Sequence, residues 1–304
     1  MKEEIKNRVL QNIANTLSMY VYHIDNNGLV NGKMGIMLFL YCYSRYVKEE
    51  YYEDFAGELL DGMLKTSRSL PSGFEDGLAG VGWGFDWLMK HDFVQGDSNK
   101  VLKPIDNKQL TQLAYGTITS ITGILNYWTA RIQKGIPGND IVKLTTDLLD
   151  FIHHSLKNSG ISLYHINAIL HFLWCVRGSI LQTNKKTTII QMLNPIINVV
   201  FSKFAFDTVD LFIFHQLLKK YNGKIILSKD AEITFCLCAS IPLTITQRIK
   251  AAWQEWIYFD KVTCPMPEDK EIMEYVDKNL QNIQLNDFVL NQGLAGLGIW
   301  ILNV

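Results

Sequence analysis

The sequence predicts an all-α chain of helical hairpins repeated around a ring. Three observations carry that expectation: apolar residues recur at helical steps, strand-like alternation is scarce, and a glycine-led segment returns at a nearly fixed interval. The helical steps appear in order along the chain. Ile5, Val9, Ile13 and Leu17 recur every four residues, and so do Phe55, Leu59 and Met63. Ile141, Leu144, Leu148 and Ile152 mix steps of three and four. Breaks fall where helices need to end, at Pro71-Ser72-Gly73, over 135–140 and at Asn158-Ser159-Gly160. Ordinary helix and loop lengths then give roughly a dozen or more helices.

The repeat reads "GLVNGKMGIMLFLY" at 28–41, "GFEDGLAGVGWGFDWL" at 73–88, "AYGTITSITGILNYW" at 114–128 and "FVLNQGLAGLGIWIL" at 288–302. Its anchors, Gly32, Gly77, Ser120 and His165, are spaced by 45, 43 and 45 residues, His165 opening the degenerate copy "HINAILHFLW". A further period reaches Asp210, and one poorly marked unit lies between it and Gly293, so six or seven units are expected. Each unit places an amphipathic helix before a glycine-led, nearly all-apolar one. Helical hairpins fit this pattern and propeller blades, which need four short strands each, do not. Gly73, Gly77, Gly80, Gly82 and Gly84 cost helix stability, and close approach of converging helices gives them a use.

Composition sets the functional frame. A 304-residue chain with 48% hydrophobic residues buries a large core, and a net charge of -1 gives no attraction to nucleic acid or acidic lipid. The longest apolar stretch, Ile189 to Phe206, is interrupted by Gln191, Asn194, Pro195 and Lys203 and is too polar for a membrane span. The charged N-terminal segment lacks a secretory pattern, and five cysteines argue against a disulfide framework. A cytoplasmic location is the expectation.

If the apolar helices start at one end of the ring, their unpaired N–H groups and positive dipole ends gather at one mouth, where anionic or polarised groups are favoured. Glu75 and Asp76 precede such a start. Each is read either as a helix cap or as a substrate contact and general acid/base, and Asp86 is a third carboxylate in the following helix. Of the aromatic residues on the apolar helices, Trp83, Trp87, Tyr127, Trp128 and Trp174, most belong in the core and those near the mouth would line a peptide groove. His171 and Cys175, four apart on one helix face, would bind a metal only with His165 or His215. In the apolar run "ILHFLWCV" they read as core residues.

The glycine-led starts "NGKMGIMLF", "EDGLAGVGWG" and "NQGLAGLG" resemble those of the lanthionine synthetase C-like proteins. The resemblance spans residues 1–304 as one domain. It implies an (α/α) toroid of two concentric helical layers, and cyclisation of ribosomally made peptides by addition of a cysteine thiol to a dehydrated serine or threonine. In that family a zinc ion held by two cysteines and one histidine deprotonates the thiol. This sequence departs from the ligand pattern. Thr119-Ser120 stand where the family has its proton-handling histidine, Ser162 and Leu163 replace the tryptophan and ligand cysteine while Tyr164 matches, and the Cys-His-Gly segment is missing. No zinc ligand or other cofactor is carried over. The expected partner is therefore a peptide or protein, met at Glu75, Asp76, Trp83 and Tyr164, either in lanthipeptide-type cyclisation machinery or as a zinc-less peptide-binding remnant of it. The alternatives are a carbohydrate-active toroid enzyme using Glu75, Asp76 or Asp86, and a non-catalytic scaffold.

Overall fold

A computed structural model describes residues 1–66, 70–115, 120–134, 139–157, 160–177, 183–203, 206–221 and 223–303. Every regular element among them is helical: α1 (Glu3–Tyr20), α2 (Lys33–Val47), α3 (Glu50–Thr66), α4 (Leu78–Lys90), α5 (Ser98–Val101), α6 (Lys103–Tyr115), α7 (Ile121–Lys134), α8 (Asn139–Ser155), α9 (Leu163–Cys175), α10 (Thr183–Ser202), α11 (Thr208–Tyr221), α12 (Lys229–Ala239), α13 (Ile245–Phe259), α14 (Asp269–Gln281) and α15 (Leu294–Leu302). Short 3-10 turns occupy Val21–His23 and Leu285–Asp287. Among the described residues no helix is long and apolar enough to cross a membrane.

The chain forms two compact units, one of Met1–Gly96 with Leu243–Val304 and one of Asp97–Pro242. In the first, the predicted alternation of amphipathic and buried helices is plain. α1 buries one face through Val9, Leu10, Ile13 and Leu17, whereas every residue of α2 from Met34 to Ser44 and of α4 from Leu78 to Leu88 is buried. The buried helices pack in the order α13, α15, α2, α4. Trp256 of α13 meets both Trp83 and Trp87 of α4 edge to face, at centroid separations of 5.3 and 5.1 Å.

The glycine-led starts lock together through their backbones. Val30 N donates to Glu75 O at 2.9 Å, and Asn291 N donates to Val30 O at 3.0 Å, so equivalent positions of three turns form a short ladder. A methyl group on Gly80 would lie 2.7 Å from Leu29 Cβ, and one on Gly35 would lie 2.9 Å from Leu290 Cβ. The turns nest this closely because those Cβ atoms are missing. Gly32, Gly77 and Gly293 are N-caps in extended backbone, so close approach, not unusual dihedrals, accounts for these glycines.

In the second unit, α9 packs between α7 and α11, with α6, α8, α10 and α12 against them. Here the repeat register needs correcting. His165 and Asp210 lie three residues inside their helical starts, because the eroded copies replace glycine with side-chain caps. Ser162 caps α9 in a capping box with His165, and Asp207 Oδ1 accepts from Val209 N at 2.7 Å.

The capping box gives a pH dependence. Nδ1 of His165 accepts from Ser162 N at 3.1 Å, which requires a neutral ring, and burial lowers the pKa of His165 below its ordinary 6.5. The folded state thus binds this proton more weakly than the unfolded one. The box's contribution is complete above about pH 6.5 and is lost as pH falls below it. Burial shifts His91 and His215 the same way. The urea midpoint should fall on acidification from about pH 7 to about pH 5, and His165→Gln, which keeps an acceptor at that position, should flatten part of the decline. An unchanged slope in that variant would remove His165 from the account.

Candidate functional site: an amide-lined cleft beside the glycine turns

The first unit carries a cleft of about 870 Å³ bordered by the start of α13, by α14, by the turn before α15 and by Asn31. Its chemistry is dominated by carboxamides: Asn31, Asn279, Asn282, Gln284, Asn286, Asn291 and Gln292. Local structure sets their positions. The box between Thr244 and Gln247 starts α13 and brings Thr246 to the rim. Gln292, just before the cap of α15, has a left-handed φ of 60°, and its carbonyl accepts from the Tyr275 hydroxyl of α14. That bond ties the turn to the far wall.

Four charged side chains, Glu271, Glu274, Lys278 and Asp287, also line the cleft. Arg248 Nη2 lies 2.8 and 3.0 Å from the two oxygens of Glu271, and Glu274 faces Lys270 at 3.7 Å. Asn291 is different: its side-chain oxygen is buried and has no hydrogen-bond partner among the described residues, although the residue lines the cleft. A buried acceptor without a donor costs about 1–3 kcal/mol.

Asp76 lies next to this cleft through Asn31. Its Oδ1 accepts from Asn31 Nδ2 at 3.0 Å and from Asn26 Nδ2 at 2.7 Å. The capping reading of Asp76 is corrected, since Gly77 is the N-cap of α4 and makes no side-chain cap bond. The carboxylate instead joins the first glycine turn to the second. Glu75 is exposed and contributes its backbone carbonyl to the ladder. Asp86 is only 3% exposed within α4. Trp83 belongs to the aromatic core with Trp256 and Phe74, and Tyr164 is half-buried in the first turn of α9 in the second unit.

His171 and Cys175 do meet, with Cys175 Sγ 3.4 Å from His171 Nε2 and 3.1 Å from Gln133 Nε2. Burial pushes the Cys175 thiol up to about 11 despite the hydrogen bond from Gln133, so it is protonated at neutral pH and is a poor nucleophile. His165 is engaged with Ser162 and His215 packs on Phe235. Among the described residues no three histidine, cysteine or acidic side chains converge as a metal site. The amide cleft escaped sequence reasoning because its residues, Asn31 and a scatter between 279 and 292, form no motif. The Asn-Gly and Gln-Gly pairs before Gly32 and Gly293 were the available signal.

Comparison with protein-family models, with curated proteins and with solved structures yields no match.

Proposed function

We propose that this chain is a peptide-binding protein on the helical-hairpin toroid of the lanthionine synthetase C-like proteins, holding an extended peptide segment in the amide-lined cleft without zinc-assisted thiol addition. The cleft's seven carboxamides carry the reading. An extended peptide presents alternating N–H and C=O groups, and each carboxamide offers a donor and an acceptor to match them whatever the peptide's side chains. Asn291 borders the cleft, with its side-chain oxygen closed to solvent. The protonated Cys175 thiol and the departures from the zinc-ligand pattern favour binding over cyclisation.

Calorimetric titration with a panel of uncharged ten-residue peptides tests the proposal. At least one should bind, and Asn291→Leu should weaken it about fivefold, the worth of one hydrogen bond near 1 kcal/mol. Binding that ignores Asn291→Leu and Asn31→Leu alike, or oligosaccharides binding where peptides do not, would overturn it. Stoichiometric zinc in the purified protein, lost on replacing Cys175, would restore the catalytic alternative.

A further inference from the structure

The chain's net charge of -1 averages two units of opposite sign. Fifteen lysines and arginines against nine aspartates and glutamates give the second unit +6, and the remaining fourteen against twenty-one leave -7 on the first. The basic unit also exposes an apolar run: Ile226, Ile233, Leu237 and Ile241 are each 52% to 66% exposed. α12 sets their direction. Ala231 is buried, and the Phe235 ring meets Phe201 of α10 and Phe214 and His215 of α11, so this is the packed side of the helix. Ile233 and Leu237, one turn apart, lie on the other side. Ile226 precedes α12 in a segment fixed to α10, where Ile226 N donates to Asn194 Oδ1 at 3.3 Å and Ser228 N donates to Asn198 Oδ1 at 2.9 Å. Lys229 stands one turn before Ile233, Lys224 two residues before Ile226, and Lys219 in the last turn of α11, and none of the three makes an ion pair among the described residues. Asp230 and Glu232 in the first turn of α12 oppose them, and the unit's positive excess decides the sign of the field. From Ile233 to Pro242 the chain carries no charge.

We propose that this surface docks on an anionic membrane, with α12 lying in the plane of the interface, Ile226, Ile233, Leu237 and Ile241 entering the hydrocarbon boundary and Lys219, Lys224 and Lys229 meeting acidic headgroups. Lipid is the occupant because it answers both features at once: hydrocarbon takes the apolar side chains, and the negative leaflet takes the lysines beside them. Lysine stems are long enough to keep the ammonium groups at headgroup level while the isoleucines go deeper. A nucleic acid would leave the four apolar side chains facing phosphate and water. The docking is peripheral, since among the described residues no helix is long and apolar enough to cross the bilayer. It is independent of the peptide reading, whose cleft belongs to the first unit.

Co-flotation of the full chain with vesicles tests the assignment. The protein should float with phosphatidylcholine vesicles containing about 30% phosphatidylserine, float far less with phosphatidylcholine alone, and be released as salt rises. Leu237→Gln should weaken binding about fivefold by removing one inserted side chain, and Lys224→Gln combined with Lys229→Gln should weaken it about tenfold. All three positions are exposed, so the urea midpoints should stay at the wild-type value. Absence of binding to the acidic vesicles, equal binding to both compositions, or binding that ignores Leu237→Gln would each overturn the proposal. So would a wild-type dimer in sedimentation that Leu237→Gln converts to monomer, because the face would then belong to a second copy of the chain.

Discussion

Replacing Gly80 with alanine is expected to lower the free energy of unfolding by about 2–3 kcal/mol, although alanine is the better helix former. The added methyl would lie 1.9 Å from the carbonyl oxygen of Phe74 and 2.7 Å from Leu29 Cβ. Neither atom is the end of a flexible side chain. Moving Phe74 disturbs the turn in which Leu78 N bonds Pro71 O and Ala79 N bonds Gly73 O, and moving Leu29 strains the neighbouring bond from Val30 to Glu75. The gain of up to about 1 kcal/mol in helix propensity is thus outweighed. Gly62 in α3 supplies the control, since a methyl there has nothing within 4 Å and Gly62→Ala should raise stability by about 0.5–1 kcal/mol. Urea unfolding of the two variants decides the matter, and equal midpoints would show that the turns are not held by close approach.

This contrast explains how much of the fold could be read in advance. Where packing forbids a Cβ atom, as at Gly32, Gly77, Gly80, Gly293 and Gly296, the constraint falls on one residue type and the repeat is visible. Where a side chain caps the helix, Ser162, Asp207 and Thr244 serve equally well, so the middle copies drift and the register at His165 and Asp210 slips by three. The unit between Asp210 and Gly293 was nonetheless signed: "TITQ" at 244–247 is a capping box, and it starts α13. The amide cleft was harder to see because it is assembled across the repeat. Asp76 meets Asn31 over 45 residues of sequence, and that neighbourhood exists only once the turns are stacked. Periodicity reports which face of a helix is buried, but not which loops lie side by side.

The Asp106–Arg131 pair was equally silent in sequence, and it gives the largest effect expected in the second unit. Asp106→Leu should cost about 4–5 kcal/mol and Arg131→Met about 3–4 kcal/mol, within the range for removing one partner of a buried ion pair. The order follows from burial. The first change strands a guanidinium whose side chain is 3% exposed, although Asn99 and Ser98 stay near it, whereas the second strands a carboxylate that is 18% exposed and still accepts from the Tyr127 hydroxyl. The double variant should recover most of the loss, because two apolar side chains of similar volume need no counter-charge. Chemical denaturation of the four proteins closes a double-mutant cycle, with a coupling of at least about 2 kcal/mol expected. Additive losses would mean that water or another group already balances each charge.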